Sequence, residues 1–302
     1  MGELCEIFLD QDVYQPGETV TGKIMCNFDT ENQVNGIRVL MKGRAKVYWK
    51  EGRYTVYQDD KMYFEFETAL VDNETTFAPG LYEYPISFEL PNALPSSMEE
   101  THGNVRYKVQ AVIDRPWSFD HVCRLPFTVY SVNNLNEMED LNQPTQSVEE
   151  KIPFALFGQS PPIKVLVNLP QSCYAPNDTV SFFVKIINES AVCIEDVRFR
   201  IIQGYTFYAR NRSTQHISYI SEECANTDFE VKGESEGQWN LEITVPADIF
   251  IGVLDDCDVI KIFGSYGEKY VFRFLTPILL LTCHWCLVLE IKIETLFRNV
   301  FT

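Results

Sequence analysis

Residues 102–120 have the sequence HGNVRYKVQAVIDRPWSFD, and this stretch decides the fold. Its middle alternates, with one face formed by Val105, Tyr107, Val109, Ala111 and Ile113 and the other by Asn104, Arg106, Lys108, Gln110 and Asp114. Because successive side chains of a β-strand point to opposite faces, the pattern predicts a half-buried strand of an antiparallel sheet. Pro116 has no N–H group to donate, so the strand ends there. We expect Trp117 and Phe119 to return to the buried face and to close one end of a core.

A second alternating stretch runs from Ile37 to Trp49. One face carries Ile37, Val39, Met41, Gly43, Ala45, Val47 and Trp49, and the other carries Arg38, Lys42, Arg44 and Lys46. The segment 5–9 is a further strand, and a turn follows in which Pro16 sets φ and Gly17 takes a positive φ. Short strands at this density, separated by turns, predict an all-β fold of the β-sandwich type.

The chain repeats this strand pattern in its second half. Residues 174–180, YAPNDTV, match residues 14–20, YQPGETV, at an offset of 160. The match includes the turn, because Asn177 tolerates the positive φ that glycine takes at the equivalent position. Further on, residues 241–246, LEITVP, resemble residues 86–91, ISFELP, at an offset of 155. An internal duplication predicts two sandwiches of similar topology.

The length of 302 residues suits two domains of ordinary size. Between the repeats, the chain is crowded with Asn, Gln, Asp and Glu, which is typical of an inter-domain linker. We therefore predict an N-terminal sandwich at 1–132, a polar linker at 133–159 and a C-terminal sandwich at 160–302, whose last third diverges.

The divergent part contains an uncharged run from Phe274 to Leu289, if His284 is neutral. Its sixteen residues are interrupted by Pro277 and fall short of the ~20 apolar residues that a membrane-spanning helix needs. We expect no transmembrane segment there. Two buried strands, a divergent edge or an imperfect gene model are the explanations that stay open.

The composition limits the classes of function. Lys and Arg number 25 against 43 Asp and Glu, so a net charge of −18 disfavours unspecific binding of nucleic acid or anionic lipid. Nine cysteines at irregular spacing favour reduced thiols of a cytosolic protein over a disulfide framework. The first six residues, MGELCE, do not begin a secretory signal peptide.

The sequence offers little catalytic chemistry. Its four histidines, at positions 102, 121, 216 and 284, have no catalytic or metal-binding spacing, and no GxxxxGK or GxSxG motif occurs. Cys283 and Cys286 form a single CxxC without the second pair of ligands that a structural zinc needs. We therefore expect no enzyme, no cofactor and no metal site.

The motif HGxVRYxVxAxxDRPW at 102–117 closely resembles the signature of the arrestin-domain-containing proteins, the alpha-arrestins. Three further motifs resemble that family in the same order: YQPGETV with Gly22, GRAKVYW at 43–49 and LPNALPSS at 90–97. The resemblance implies two arrestin-type, immunoglobulin-like β-sandwiches in tandem. It assigns structural roles to the signature residues His102, Arg106, Tyr107, Asp114, Arg115, Pro116 and Trp117.

The resemblance also implies a function. Proteins of this family are cytosolic trafficking adaptors that bind cytoplasmic tails of membrane cargo for sorting or endocytosis, at the plasma membrane and endosomes. Other trafficking proteins are further partners to expect. The alternative is a scaffold subunit of a fixed, retromer-like complex, because arrestin-type sandwiches also serve in such assemblies.

Lys42, Arg44 and Lys46 form a basic row on an otherwise acidic protein. One interpretation is a solvated strand face, since surface strands often carry Lys and Arg that discourage edge pairing. The other is a docking surface for cargo, because cations at every second residue can meet successive anionic groups of an extended acidic or phosphorylated tail. Arrestin relatives use the concave faces of their sheets for cargo, which favours the second interpretation without excluding the first.

We predict that the 302-residue chain does not bind isolated WW domains. Alpha-arrestins commonly recruit HECT ubiquitin ligases through PPxY motifs, which dock on WW domains as polyproline helices. The Pro161-Pro162 pair of this chain is followed by Ile163 and Lys164, so the motif lacks its tyrosine. Titration of the purified chain with WW domains tests this, and micromolar binding would contradict it. A longer transcript that encodes PPxY would show that the C-terminus is incomplete.

Overall fold

The computed structural model describes residues 4–131, 144–152, 160–170, 174, 176–210, 212–219, 230–250, 252–262, 281–282 and 288–295. The chain divides into two compact units. The first comprises Met1–Asn133, Thr206–Thr214 and Gly252–Lys261. The second comprises Asn134–Tyr205, Gln215–Ile251 and Ile262–Thr302.

The sheets of the first half are antiparallel apart from one short parallel pair. A three-stranded sheet has the order β1 (Cys5–Leu9), β3 (Thr19–Phe28), β8 (Gly80–Glu89). A six-stranded sheet has the order β2 (Val13–Tyr14), β11 (His121–Val129), β10 (Gly103–Asp114), β5 (Gly36–Glu51), β6 (Thr55–Val71), and β9 (Met98–Glu100) also pairs with β10. The strands β4 (Asn32–Val34) and β7 (Thr75–Phe77) pair separately. The inward side chains of β5 and β10 are buried, as their alternation predicts.

The sheets of the second half follow the same plan. One has the order β12 (Thr145–Lys151), β13 (Ile163–Leu169), β14 (Thr179–Asn188), β17 (Ser235–Thr244). The other has the order β16 (Arg212–Tyr219), β15 (Ile194–Ala209), β20 (Val288–Thr295), β19 (Leu281–Thr282), with β18 (Ile260–Ile262) pairing with β15. The described residues contain no helix, and the fold is all-β with two β-sandwiches, as predicted from the sequence.

The internal repeat is confirmed in backbone detail. β14 lies 160 residues after β3, and β17 lies 155 residues after β8, each with the length of its counterpart. The turn is also the same, because Gly17 has a φ of 80° and Asn177 a φ of 70°. In the first copy Leu90 N–H donates to Glu18 O at 2.9 Å, and in the second Val245 N–H donates to Asp178 O at 2.9 Å. The two copies therefore share strands, turn and register.

The prediction that Trp117 and Phe119 close the core is wrong. Trp117 is fully exposed, and Phe119 is 92% exposed. β10 ends at Asp114, and Trp117 has a φ of 60°, in the left-handed region that bulky residues rarely adopt. The Arg115 guanidinium donates two hydrogen bonds to Phe119 O, at 2.7 and 3.2 Å. The chain therefore turns at Pro116, and the strand alternation does not continue.

Part of the predicted polar linker is a strand. β12 is the edge strand of its sheet and pairs antiparallel with β13. Gln146, Val148 and Glu150 on this strand are exposed. A polar sequence suits an edge strand because charged and polar side chains facing solvent protect such an edge. The domain limits drawn from the sequence stay a prediction.

Among the residues that the structure describes, none belongs to a helix with the length and apolar character of a membrane span. Most of the uncharged run, residues 274–280 and 283–287, lies outside the described residues, and so does the CxxC motif. Of that run, residues 281–282 and 288–289 belong to β19 and β20.

Ser96 lies at a buried junction of three chain segments in the first unit. Its hydroxyl donates to Ser131 O at 3.1 Å and accepts from the N–H groups of Ser131, at 2.9 Å, and Val253, at 3.0 Å. The Ser96 N–H donates to Val253 O at 2.8 Å. Ser96 is completely buried, so these bonds replace the water that its hydroxyl and N–H would otherwise bind. The LPNALPSS motif thus supplies a hydroxyl that joins residues 131 and 253.

We predict that Ser96→Ala lowers the free energy of unfolding by about 1–3 kcal/mol, because buried N–H groups lose their acceptor. Urea denaturation followed by circular dichroism measures this. Ser118→Ala is the matched control, since Ser118 is exposed and its loss costs less than about 0.5 kcal/mol. An equal effect of both substitutions would contradict the role of Ser96.

Candidate docking face of the six-stranded sheet

The outward side of β5, β10 and β11 gathers more cations than the row on β5 alone. In the register of β5 and β10, Lys42 lies opposite Lys108, and Arg44 lies opposite Arg106. On β11, Arg124 lies opposite Gln110, which is the next outward residue after Lys108 on β10. We call this surface the basic face, and its members are Lys42, Arg44, Lys46, Arg106, Lys108 and Arg124.

Three of these cations are neutralised by carboxylates. Lys42 Nζ lies 2.6 Å from Glu65 Oε1, and an Arg44 Nη lies 2.7 Å from Asp60 Oδ1, both across the pairing of β5 with β6. On the other side, an Arg106 Nη donates to Glu99 Oε2 at 2.7 Å, and this contact raises the pKa of Arg106. β6 therefore forms an acidic border along one margin of the face.

The other three cations lack such a partner. Within the described residues, no carboxylate oxygen lies within 4.0 Å of the charged nitrogens of Lys46, Lys108 or Arg124. Arg124 donates to Gln110 Oε1 at 3.1 Å, which is a neutral acceptor. Lys46 and Arg124 are exposed, and Lys108 is partly exposed. The face therefore keeps uncompensated positive charge at its centre.

Burial and the neighbouring cations both lower the pKa of Lys108. Its pKa lies below the ordinary lysine value, first because the side chain is partly removed from water. The cations Arg124, Lys42, Lys46 and Arg44 lower it further, because each repels the protonated amine. An anion bound at the centre of the face would relieve this repulsion, so the arrangement is suited to a negatively charged ligand.

The buried signature residues organise the inner side of the same strands. Tyr107 is buried, and its hydroxyl donates to Pro95 O at 2.7 Å. Its ring stacks on Phe64 with centroids 6.0 Å apart. Gly43 lies directly opposite Tyr107, and a Cβ atom there would lie 2.6 Å from the Tyr107 ring. Burial raises the pKa of Tyr107, so its hydroxyl stays protonated and keeps donating.

The remaining signature residues fix the two ends of β10. At its start, His102 meets the edge of Phe207 with ring centroids 5.7 Å apart, and its carbonyl accepts from Tyr48 N–H. At its end, Asp114 Oδ1 accepts from Asn35 Nδ2 at 2.8 Å. Arg115 holds the loop that contains Pro116 and the exposed Trp117. These contacts support the structural interpretation of the motif, whereas Arg106 also contributes to the basic face.

Sequence reasoning found the row on β5 and missed its extension. Lys108 was recognised only as part of a polar strand face, and Arg124 was not singled out. The missing information is the strand pairing. The pairing of β5 with β10 brings Lys42 next to Lys108 across 66 positions, and the pairing of β10 with β11 places Arg124 opposite Gln110. The signal in the sequence that could have identified Lys108 and Arg124 is that each is a cation on the polar side of an alternating strand.

A metal site requires several ligating side chains close together. In the described part of the chain, no three side chains of His, Cys, Asp or Glu are placed to hold a metal ion.

Comparisons with known proteins agree with the tandem fold. The family model "Arrestin (or S-antigen), N-terminal domain" matches residues 5–136, and "Arrestin (or S-antigen), C-terminal domain" matches residues 159–266. Arrestin domain-containing protein 17 of Caenorhabditis elegans is 28% identical over 256 residues, which cover 78% of this chain and 60% of that protein.

Two vertebrate proteins have a comparable sequence identity to this chain. Arrestin domain-containing protein 1 of Rattus norvegicus is 29% identical over 266 residues, covering 86% of this chain and 59% of that protein. Thioredoxin-interacting protein of Mus musculus is 27% identical over 228 residues, covering 71% and 57%. The chain thus spans less than two thirds of the length of these curated relatives.

We predict that Lys108→Gln raises the free energy of unfolding by about 0.5 kcal/mol at low salt, because it removes repulsion among like charges. The gain should vanish in 1 M NaCl, where the Debye length falls to about 3 Å. Urea denaturation at both salt concentrations measures the effect. Lys23→Gln is the control, since Lys23 pairs with Glu83 at 3.1 Å and its loss brings no gain. A loss of stability in the Lys108 variant at both salt concentrations would contradict the electrostatic account.

Proposed function

The chain belongs to the arrestin-domain-containing family, the alpha-arrestins, and on this basis we propose that it is a non-enzymatic trafficking adaptor. It binds cytoplasmic segments of membrane cargo proteins and directs them to sorting or endocytosis. It works in the cytoplasm, peripheral to the plasma membrane and endosomes. Membership of the family supports a role as an adaptor, and the basic face supports a ligand that is negatively charged.

The observation that carries the proposal is the uncompensated charge on the basic face. The protein has a net charge of −18. The basic face has three cations that lack carboxylate partners, so its local charge is opposite in sign to that of the protein as a whole. Acidic residues of β6 neutralise Lys42 and Arg44 of the basic face, and β6 also pairs with Arg38 through Glu67 at 3.8 Å. A ligand that brings its own negative charge completes the remaining pairs.

The spacing of the face favours an extended segment. Outward residues on one strand recur about every 6.6 Å, which equals the repeat of alternate side chains in an extended peptide. The three cations without carboxylate partners lie on a diagonal of the sheet, because Lys46 on β5 is opposite Asn104, Lys108 on β10 lies four residues further along, and Arg124 on β11 is opposite Gln110. An extended tail that follows this diagonal meets one cation on each strand. The preferred ligand is a cytoplasmic tail rich in Asp, Glu or phosphorylated residues.

Within residues 1–302 the proposed role is cargo binding without direct WW-ligase recruitment. The Pro161-Pro162 pair precedes Ile163, where β13 begins, and Lys164 on that strand pairs with Glu189 at 2.7 Å. This proline pair therefore leads into a paired strand, which does not match the polyproline helix that WW domains bind.

We predict that the triple variant Lys46→Gln, Lys108→Gln, Arg124→Gln binds acidic or phosphorylated tail peptides about tenfold more weakly than the unmodified chain, a loss of about 1.4 kcal/mol. Fluorescence anisotropy with labelled peptides measures this. The matched control is Lys23→Gln, Lys164→Gln, Lys185→Gln, which removes the same charge from lysines paired with Glu83, Glu189 and Glu236.

Equal weakening in both variants would show that only the net charge matters and would reject the basic face as the site. Affinity purification at native expression separates the adaptor from the fixed-complex scaffold. Cargo-dependent, sub-stoichiometric partners support the adaptor, and one invariant partner set supports the scaffold.

A further inference from the structure

Three cysteine side chains meet in the first unit, and one of them, Cys123, directly precedes Arg124 of the basic face along β11. They are Cys5 on β1, Cys26 on β3 and Cys123 on β11, and all three are thiols in the structure. Cys5 and Cys26 are buried, and Cys123 is partly exposed. β1 packs against β11, and the Cys5 thiol lies within hydrogen-bonding reach of both other sulfur atoms. Cys5 is therefore the shared neighbour of the cluster.

The backbone register places Cys5 and Cys26 at a distance that a disulfide accepts. They lie directly opposite one another in the antiparallel pair of β1 and β3. Hydrogen bonds join Asn27 N–H to Leu4 O at 3.1 Å and Asp10 N–H to Thr21 O at 3.0 Å, so Cys5 and Cys26 form a pair without backbone hydrogen bonds. Cα atoms of such pairs lie about 4.5 Å apart. Disulfides need about 4.4–6.8 Å.

The hydrogen bonds within the cluster shift the pKa values of Cys5 and Cys26 in opposite directions. The bond from Cys5 lowers the pKa of the Cys26 thiol despite its burial. The pKa of Cys5 is raised, first by its hydrogen bond with Cys123, then by that with Cys26 and by burial. Cys26 is thus the better thiolate, and Cys5 is the proton donor.

We propose that Cys5, Cys26 and Cys123 form a thiol site that hydroperoxides oxidise, with a reversible Cys5–Cys26 disulfide as the product. This site is independent of the proposed cargo binding. The partly exposed Cys123 is the sulfur that a hydroperoxide reaches, and exposure favours its oxidation.

The reaction balances in three steps. The Cys123 sulfur attacks the hydroperoxide, the O–O bond breaks, and Cys123 becomes a sulfenic acid while an alcohol (water, for hydrogen peroxide) leaves. The Cys5 sulfur then attacks the sulfenic sulfur, its proton leaves with the hydroxyl as water, and a Cys5–Cys123 disulfide forms. The Cys26 sulfur finally attacks the Cys5 sulfur and gives up its proton, and Cys123 leaves as a thiolate that takes up that proton. Two thiols are oxidised, and one hydroperoxide is reduced.

The first test uses the full 302-residue chain, reduced, desalted and treated with hydrogen peroxide at pH 7. Peptide mapping by mass spectrometry without reduction should find a cross-link between the peptides of Cys5 and Cys26 as the dominant product, and dithiothreitol should reverse it. Cys257, buried in the same unit, should stay a thiol that reacts with an alkylating reagent after unfolding. A different dominant pair, or no cross-link at Cys5, would overturn the proposal.

The second test concerns the role of Cys123. Cys123→Ser should lower the initial rate of Cys5–Cys26 formation about tenfold, because oxidation of a thiol follows its exposure. Cys193→Ser is the matched control, since Cys193 is also partly exposed but belongs to the second unit, and its loss should leave the rate unchanged. An unchanged rate in the Cys123 variant, with its circular dichroism spectrum preserved, would overturn the assigned path. If that variant does not fold, mapping of the unmodified chain at early times decides, because the Cys5–Cys123 cross-link must then precede the Cys5–Cys26 product.

Discussion

The contact between the Tyr107 ring and Gly43 fixes how β10 and β5 pair. The ring occupies the space directly opposite residue 43, where any Cβ would collide with it. The Tyr107 hydroxyl is anchored to Pro95 O, so the ring has no freedom to move aside. A slip of one residue would turn the buried face of the strand to solvent, which makes this register obligatory. The pairs on either side, Lys42 with Lys108 and Arg44 with Arg106, follow from it.

The packing of the core thus determines the position of the cations in the basic face. Their repulsion destabilises the sheet. Like charges directly opposite one another destabilise a sheet, and the register leaves two such pairs side by side. β6 offsets part of this cost through Glu65 and Asp60, but it borders β5 only and does not reach β10 or β11. Positive charge without a carboxylate partner therefore remains at Lys46 on β5, Lys108 on β10 and Arg124 on β11. A surface that keeps such repulsion is suited to an anionic partner, and this links the inner packing to the proposed cargo site.

Sequence patterns predicted the features that local chemistry controls. The alternation around Tyr107, the turn at Gly17 and its repetition at Asn177 were predicted because each depends on residues close together in the chain. Features set by distant neighbours were not predicted. Arg124 joins the basic face only through its strand's pairing with β10, and β12 forms because β13 offers it an edge. Trp117 was misplaced because the hydrogen bonds of Arg115 turn the chain where the alternation pattern would have continued.

The junction at Ser96 has a consequence for biosynthesis. The hydrogen bond between Val253 and Ser96 spans 157 residues, and Gly252–Lys261 belongs to the first unit. A ribosome adds about 5–20 residues per second, so roughly 8–30 s pass between the emergence of Ser96 and that of its partner. During this interval the nascent first unit lacks a segment of its own interior, and its polar groups at the junction are open to water. Folding of this unit is therefore completed late in translation, and chaperones that protect exposed sheets have a defined period in which to act.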